Sequence, residues 1–196
     1  MTKIKLLSLL FLISVTKLSS QNADINMLRR INADSSFAAD KLFRGVSFSV
    51  LPISLASPAS IILTGFIRND EVMKRDGYRA TASLLLAGAI GTSLKFAFKR
   101  ERPFKTYDFI HGKDKVGPMS FPSNHTTLAF ATATSLSLAC PKWYVIVPSY
   151  LWASSVAYSR MYLGVHYPSD VLGGIVIGIG SSLLVWQVDK WMMGRN

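Results

Sequence analysis

Apolar residues along this chain gather in long blocks, without the regular polar face of a soluble amphipathic domain. Residues 45–66 contain no charged side chain at all. Residues 80–98 stay apolar until Lys95 interrupts them near the end, and further blocks run over 123–140, 143–158 and 167–188. Blocks of this length predict an all-α, polytopic membrane helix bundle with five core spans. The alternative is a soluble helical bundle with a very apolar core, but a helix there normally keeps a polar face, which 45–66 lacks. Ser, Thr, Gly and Ala recur through several blocks, the small residues that let membrane helices pack closely.

What lies between and before the blocks sets organisation and orientation. Residues 1–20 read as a signal peptide or a first membrane anchor. Lys3 and Lys5 precede an apolar run over 6–15, and Ser19 and Ser20 offer small residues for cleavage. Residues 21–44 are mixed and polar and read as an extracytoplasmic linker carrying a short surface helix, with the helical domain over 45–196. The stretch 67–79 reads as a charged loop, 99–121 as the longest polar connection, 141–142 as a tight turn and 161–166 as a short link. Alternation from an exported start puts 67–79 in the cytoplasm and both 99–121 and 161–166 outside. Lys and Arg are more numerous on that outer side, the reverse of the positive-inside rule. Much of the excess falls between Lys95 and Lys115, beside the polar clusters described below.

Composition strengthens the membrane reading. Only 17% of residues are charged, and 22 Lys and Arg face 11 Asp and Glu, a formal net charge of +11. Apolar bulk with a basic excess suits a protein that meets lipid headgroups or phosphate. A nucleic-acid binder is also basic, but does not set its charge between long apolar stretches. The single cysteine, Cys140, excludes an internal disulfide framework and a multi-cysteine metal site. It reads as a small buried hydrophobe with no assigned role.

Three polar clusters interrupt the blocks at ends expected to face one side. In the first, Lys95 and Arg102 lie seven residues apart, close to two helical turns, so one continuous helix would put them on one face until Pro103 stops it. Lys99, Arg100 and Lys105 read as a basic rim whose side chains snorkel. Lys95 lies inside an apolar run, where an ionisable group usually faces the bundle interior and has a partner. In the second cluster, Ser123, Asn124 and His125 open an apolar helix. Ser123 reads equally as an ordinary N-cap and as part of a phosphate site at a helix start. His125 is placed to pass a proton. In the third, Arg160 ends one block and His166 precedes the next. Asp170, four residues on, is within range of the His166 ring N–H, an arrangement that fixes a tautomer.

In order, the chain shows K-x6-R-P, then P-S-x-H, then S-R-x5-H-x3-D, and this set resembles the type 2 phosphatidic acid phosphatase family over roughly residues 80–185. The resemblance implies a membrane-bound lipid phosphatase with no cofactor and no metal ion. It assigns the phosphate oxygens to Lys95, Arg102, Ser123, Asn124 and Arg160. His166 becomes the nucleophile that forms a phosphohistidine, Asp170 orients it, and His125 serves as general acid and base. One position departs from the pattern: Asn124 stands where the family usually has Gly. Asn tolerates left-handed backbone better than most residues, so a strained turn there is expected to survive, with a narrower pocket.

The expected partners are the lipid bilayer and a phosphorylated lipid, not nucleic acid; the oligomeric state is left open. An export leader and compact size suit a bacterial inner-membrane enzyme with its site facing the periplasm. They favour lipid A or undecaprenyl diphosphate as substrate. Phosphatidate and phosphatidylglycerol phosphate remain open, as do a non-specific acid phosphatase and, least favoured, a non-enzymatic membrane carrier or scaffold.

Overall fold

Helices form wherever the apolar blocks run. Among the described residues, 23–32 and 36–194 of this computed structural model, there is no strand beyond one isolated bridge between Glu101 and Met119. Helix α1 covers residues 23–32, followed by α2 (Phe37–Phe48), α3 (Val50–Ile67), α4 (Glu71–Phe98) and the single turn α5 (Pro103–Thr106). Then come α6 (Asn124–Ala139), α7 (Trp143–Tyr162) and α8 (Pro168–Met193). The leader assigned to 1–20 lies outside the described residues. Each predicted block matches a long helix. Three helical stretches, Phe37–Ile67, Glu71–Phe98 and Pro168–Met193, are long and apolar enough to cross a membrane.

One expectation about the connections is corrected. The charged stretch 67–79 is mostly helix, not loop. Asn69 takes a left-handed conformation (φ 51°), and Asp70 then caps α4 by accepting from the Met73 N–H at 3.0 Å. Its charges are satisfied along the helix and across to α8. Lys74 meets Glu71 at 2.7 Å, Arg79 meets Asp76 at 2.6 Å, and Arg75 reaches Asp189 of α8 at 2.7 Å. The short surface helix expected within 21–44 lies at 23–32, exposed along one face and buried along the other. Ile25 and Leu28 are buried with Ile110 and Tyr167, and Asn32 is buried among backbone groups. Asn32 donates to the carbonyls of His111 (3.1 Å) and Tyr162 (2.9 Å) and accepts from the His111 N–H at 2.8 Å. One amide thus pins α1, the 107–121 connection and the end of α7 together.

Helix α6 is the centre of the bundle. None of its residues is exposed, and it packs on α3, α4, α7 and α8. Its many hydroxyls are absorbed internally. Thr132 back-bonds to the Leu128 carbonyl and also donates to Ser54 of α3 at 2.8 Å, while Ser135 meets Ser182 of α8 at 3.1 Å. Small residues set the spacing, because a Cβ added at Gly178 of α8 would lie 2.4 Å from the Thr127 carbonyl. That is the backbone-to-backbone contact by which helices associate in lipid. The outer surface is apolar in turn: Leu51, Leu55, Leu85, Leu151, Leu172 and Val176 are all exposed. A polar-lined interior and a leucine-rich exterior are the arrangement expected where hydrocarbon is the solvent.

The α7–α8 turn depends on Gly164. Its φ is +69°, and a Cβ there would meet the His111 carbonyl oxygen at 2.4 Å. Both the backbone conformation and the contact demand glycine. The Lys113 N–H donates to the Leu163 carbonyl at 2.9 Å beside it, so the long connection lies down on this turn. The polar clusters meet at this end of the bundle.

Candidate active site

A cavity of about 350 Å³ opens where α4, α6, α7 and the 115–119 segment converge. Six of the residues picked out in the sequence line it: Lys95, Arg102, Asn124, His125, Arg160 and His166. Ser123 and Asp170 stand behind its wall, fully buried.

Each cation reaches the cavity differently. Lys95, in the last turn of α4, donates from Nζ to the carbonyls of Met119 (3.1 Å), Ser120 (3.3 Å) and Pro122 (2.7 Å). Arg102 does not share its helix. Helix α4 ends at Phe98, Lys99 turns left-handed (φ 46°), and Arg102 is extended at the N-cap of α5. Pro103 therefore opens a helix instead of stopping one, because proline fits the first helical position and disfavours helical backbone in the residue before it. Arg102 donates from Nε to the Gly117 carbonyl at 2.5 Å, and from one terminal nitrogen to the Val165 carbonyl at 2.7 Å. The same nitrogen lies 3.2 Å from Nε2 of His166. Burial first, then the neighbouring Arg160 cation, lowers the Arg102 pKa to about 10, which leaves the guanidinium charged at neutral pH. Arg160 is wholly buried; it donates to Ser47 and to Asp114 Oδ2 (2.9 Å), and its Nε has no partner among the described residues.

His166 is oriented from behind. Asp170 Oδ2 accepts from the Ser120 hydroxyl and from the Tyr167 N–H at 2.9 Å, and it faces His166 Nδ1 at 3.5 Å. This contact is longer than a well-formed hydrogen bond. With Nδ1 turned to the carboxylate and Nε2 turned to the Arg102 donor, the geometry calls for the Nδ1–H tautomer. Burial pushes the imidazole pKa down to about 3; Asp170 opposes the shift, while Arg160 and Arg102 add to it. The ring is neutral at pH 7, and its Nε2 lone pair faces the Arg102 donor beside the cavity.

Helix α6 supplies the remaining residues from its first turn. Ser123 occupies the N-cap position but makes no side-chain cap bond; its hydroxyl accepts from Thr126 at 3.0 Å. Its N–H donates to the Asp170 carbonyl at 3.1 Å, tying α6 to α8. Asn124 corrects an expectation, for it is an ordinary first helical residue and not a left-handed one. The absence of a Cβ at Gly91 gives it room: a Cβ there would lie 2.9 Å from Asn124 Oδ1, a buried oxygen with no partner among the described residues.

Arg100 departs from the snorkelling rim expected of it. It donates to Asp170 Oδ1 (2.8 Å), Ser169 Oγ (2.6 Å) and Asp24 Oδ2 (2.9 Å), while the exposed Lys99 and Lys105 fit the rim reading. Sequence reasoning also passed over Ser120, Asp114 and Asp24. Ser120 was the one within reach, since it stands beside the P-S-x-H cluster. Cys140 is a free, partly exposed thiol at the opposite end of α6.

Similarity to known proteins agrees with this geometry. The model of the PAP2 superfamily matches residues 77–193, and the chain belongs to that superfamily. An undecaprenyl-diphosphatase of Sulfolobus acidocaldarius is 31% identical over 137 residues, covering 68% of this chain and 63% of that protein. A lipid A 4'-phosphatase of Bacteroides thetaiotaomicron is 35% identical over 78 residues, covering 40% of this chain and 35% of the relative. The chain thus aligns with less than two thirds of either relative's length. The crystal structure of a transmembrane PAP2-type phosphatidylglycerolphosphate phosphatase from Bacillus subtilis superposes with a TM-score of 0.72 at 26% identity, covering 93% of both chains. With several membrane-capable helices in this family, the chain is a multi-pass membrane protein.

Proposed function

We propose that this protein hydrolyses a phosphate ester or diphosphate on a membrane lipid through a phosphohistidine, without a metal ion. The observation that carries the reading is the ring of His166. Its Nε2 faces a cavity lined by Lys95, Arg102 and Arg160, and its Nδ1 faces Asp170. A phosphoryl group seated there takes the place of the Arg102 contact at Nε2. Nε2 attacks phosphorus, the bond to the lipid oxygen breaks, and His125 gives that oxygen a proton. His125 then takes a proton from water, which attacks the phosphohistidine, releases inorganic phosphate and restores Nε2. The three cations offset charge developing on the equatorial oxygens, the task a metal ion performs in other phosphoryl-transfer sites. The first N–H groups of α6, from Asn124 on, add donors at a helix start, with Ser123 behind them in the wall.

All five long helices, α3, α4, α6, α7 and α8, serve as core spans in this reading, with α6 screened from lipid by the others. The chain lies in the bacterial inner membrane with the cavity on the periplasmic side, where a lipid phosphate sits at headgroup depth. Undecaprenyl diphosphate and lipid A are the favoured substrates, supported by the two relatives; phosphatidylglycerol phosphate is the alternative, supported by the structural neighbour. The test is phosphate release by purified, membrane-inserted protein across these lipids and phosphatidate. One of them should be cleaved, with His166→Ala inactive and His125→Ala reduced about 10²–10⁴-fold. Near wild-type turnover by folded His166→Ala sinks the mechanism. Cleavage of soluble phosphomonoesters alone sinks the lipid assignment.

A further inference from the structure

Behind His166 lies a second layer of charge that the reaction as written does not use. The two oxygens of Asp170 are held differently. Oδ2 receives Ser120, the Tyr167 N–H and the approach of His166, whereas Oδ1 receives, among the described residues, Arg100 alone. The Arg100 guanidinium is itself fixed on three sides. One terminal nitrogen meets Asp170 and Ser169, the other meets Asp24, and the plane stacks on the Tyr167 ring at 3.9 Å. Asp24 comes from α1, 76 residues before Arg100. Its carboxylate also accepts from the Ser169 N–H at 2.8 Å and from the Ser169 hydroxyl at 2.5 Å. Asp24 therefore caps, from outside, the first turn of the helix on which Asp170 stands, where a negative charge is favoured.

This is no ordinary surface ion pair. Asp170 is fully buried and the Asp24 side chain is 8% exposed, so both carboxylates depend on protein donors while Arg100 is in place. A planar fork that satisfies two carboxylates at once while stacking on an aromatic ring is a geometry lysine cannot copy. Without it, Asp170 Oδ1 is a buried acceptor with no donor. The cheapest remedy is for the carboxylate to rotate, which takes Oδ2 off His166 Nδ1.

We infer that Arg100 and Asp24 act as a positioning couple: Arg100 holds the Asp170 carboxylate on His166, and Asp24, delivered by α1, holds Arg100. The helix over 23–32 is then part of the catalytic apparatus. The inference rests on the reading that His166 attacks phosphorus with Asp170 behind it.

The test compares Arg100→Ala, Arg100→Lys, Asp24→Asn and the double variant Arg100→Ala/Asp24→Asn in membrane-inserted full-length protein. Misplacing a reacting group by about 1 Å can cost about 10²-fold. Arg100→Ala should lower kcat by up to that amount with KM for the lipid little changed, and slow phosphohistidine formation in a rapid-quench measurement. Arg100→Lys should recover part of the loss. Asp24→Asn should act in the same direction more weakly, and the double variant should be no worse than Arg100→Ala. The 15N signals of the His166 ring report its tautomer whether or not a lipid is turned over. They should show the Nδ1–H form in the wild type and a mixture in Arg100→Ala. Overturning results are kcat within about twofold of wild type in both single variants, multiplicative losses in the double variant, or ring signals unchanged by Arg100→Ala. If the wild type cleaves none of the lipids, the proposed function fails, and the ring signals alone decide the couple.

Discussion

Helix α4 carries basic residues at both ends, and their partners differ in kind. At its start, Arg75 and Arg79 meet carboxylates: Asp189 takes both, and Asp76 takes Arg79. At its end, Lys95 is held by three backbone carbonyls, and Arg102 nearby is held by two carbonyls and an imidazole nitrogen. Among the described residues, Arg160 alone in that group meets a carboxylate, Asp114. A carbonyl satisfies a hydrogen bond without cancelling the charge behind it; a carboxylate does both. The two ends are about 24 Å apart, from the rise of the 16 residues between Arg79 and Lys95. One is a neutral clamp between α4 and α8. The other is a positively charged hollow in which neutral carbonyls hold Lys95 and Arg102 without cancelling their charge, the setting that the proposed phosphate site calls for.

Charge removal at the two ends should separate function from stability. Lys95→Met keeps most of the packing and deletes one uncompensated cation. It should cut kcat/KM for the lipid about 10²–10³-fold and leave the melting temperature nearly unchanged; a loss of less than tenfold would mean Lys95 only braces the 119–122 carbonyls. Asp189→Ala takes from Arg75 the carboxylate it meets and leaves Arg79 with Asp76, in a partly buried site. It should cost about 1–3 kcal/mol of stability in a thermal or denaturant assay, with kcat retained in protein that remains folded.

Anion binding gives a milder comparison. Inorganic phosphate at ten times its Kd should stabilise the wild type by about 1.4 kcal/mol. That gain should vanish in Lys95→Met and persist in Asp189→Ala. If Asp189→Ala also abolishes it, the two ends are not independent. The smallest effect concerns His166. Its pKa in the fold lies near 3 against 6.5 for the ordinary side chain, so below pH 6.5 the unfolded chain binds the extra proton. Its contribution is present in full above pH 6.5 and is lost as pH falls towards 3. Between pH 8 and pH 6 this amounts to roughly 1 kcal/mol, and it should be missing from the stability profile of His166→Asn.

Reading the chain alone located the long helices and most of the cavity's lining. Those depend on local pattern: a block of apolar residues must become a helix in lipid, and a polar residue at its end must lie near the boundary. Hence Lys95, Arg102, Asn124, His125, Arg160 and His166 were all identifiable and all line one cavity. Local pattern failed where a turn intervened. Lys95 and Arg102 were expected on one helical face, but the left-handed Lys99 separates them onto different elements. It failed again at 67–79, where charged residues signified a loop until their partners on α8 came into view.

The sequence by itself determined the helical class, the membrane habit and the residue types of the site, because each is written within one or two turns of chain. Only the tertiary structure decided which cations stay uncompensated. It also revealed that Ser123 is sealed behind the wall, that Ser120 shares Asp170 with His166, and that Arg100 belongs to Asp24 and Asp170. Those pairings join residues 46 to 76 positions apart. No spacing rule reaches that far; only the packing of α7 and α8 on α6, with α1 laid against the turn between α7 and α8, brings such partners within hydrogen-bonding distance.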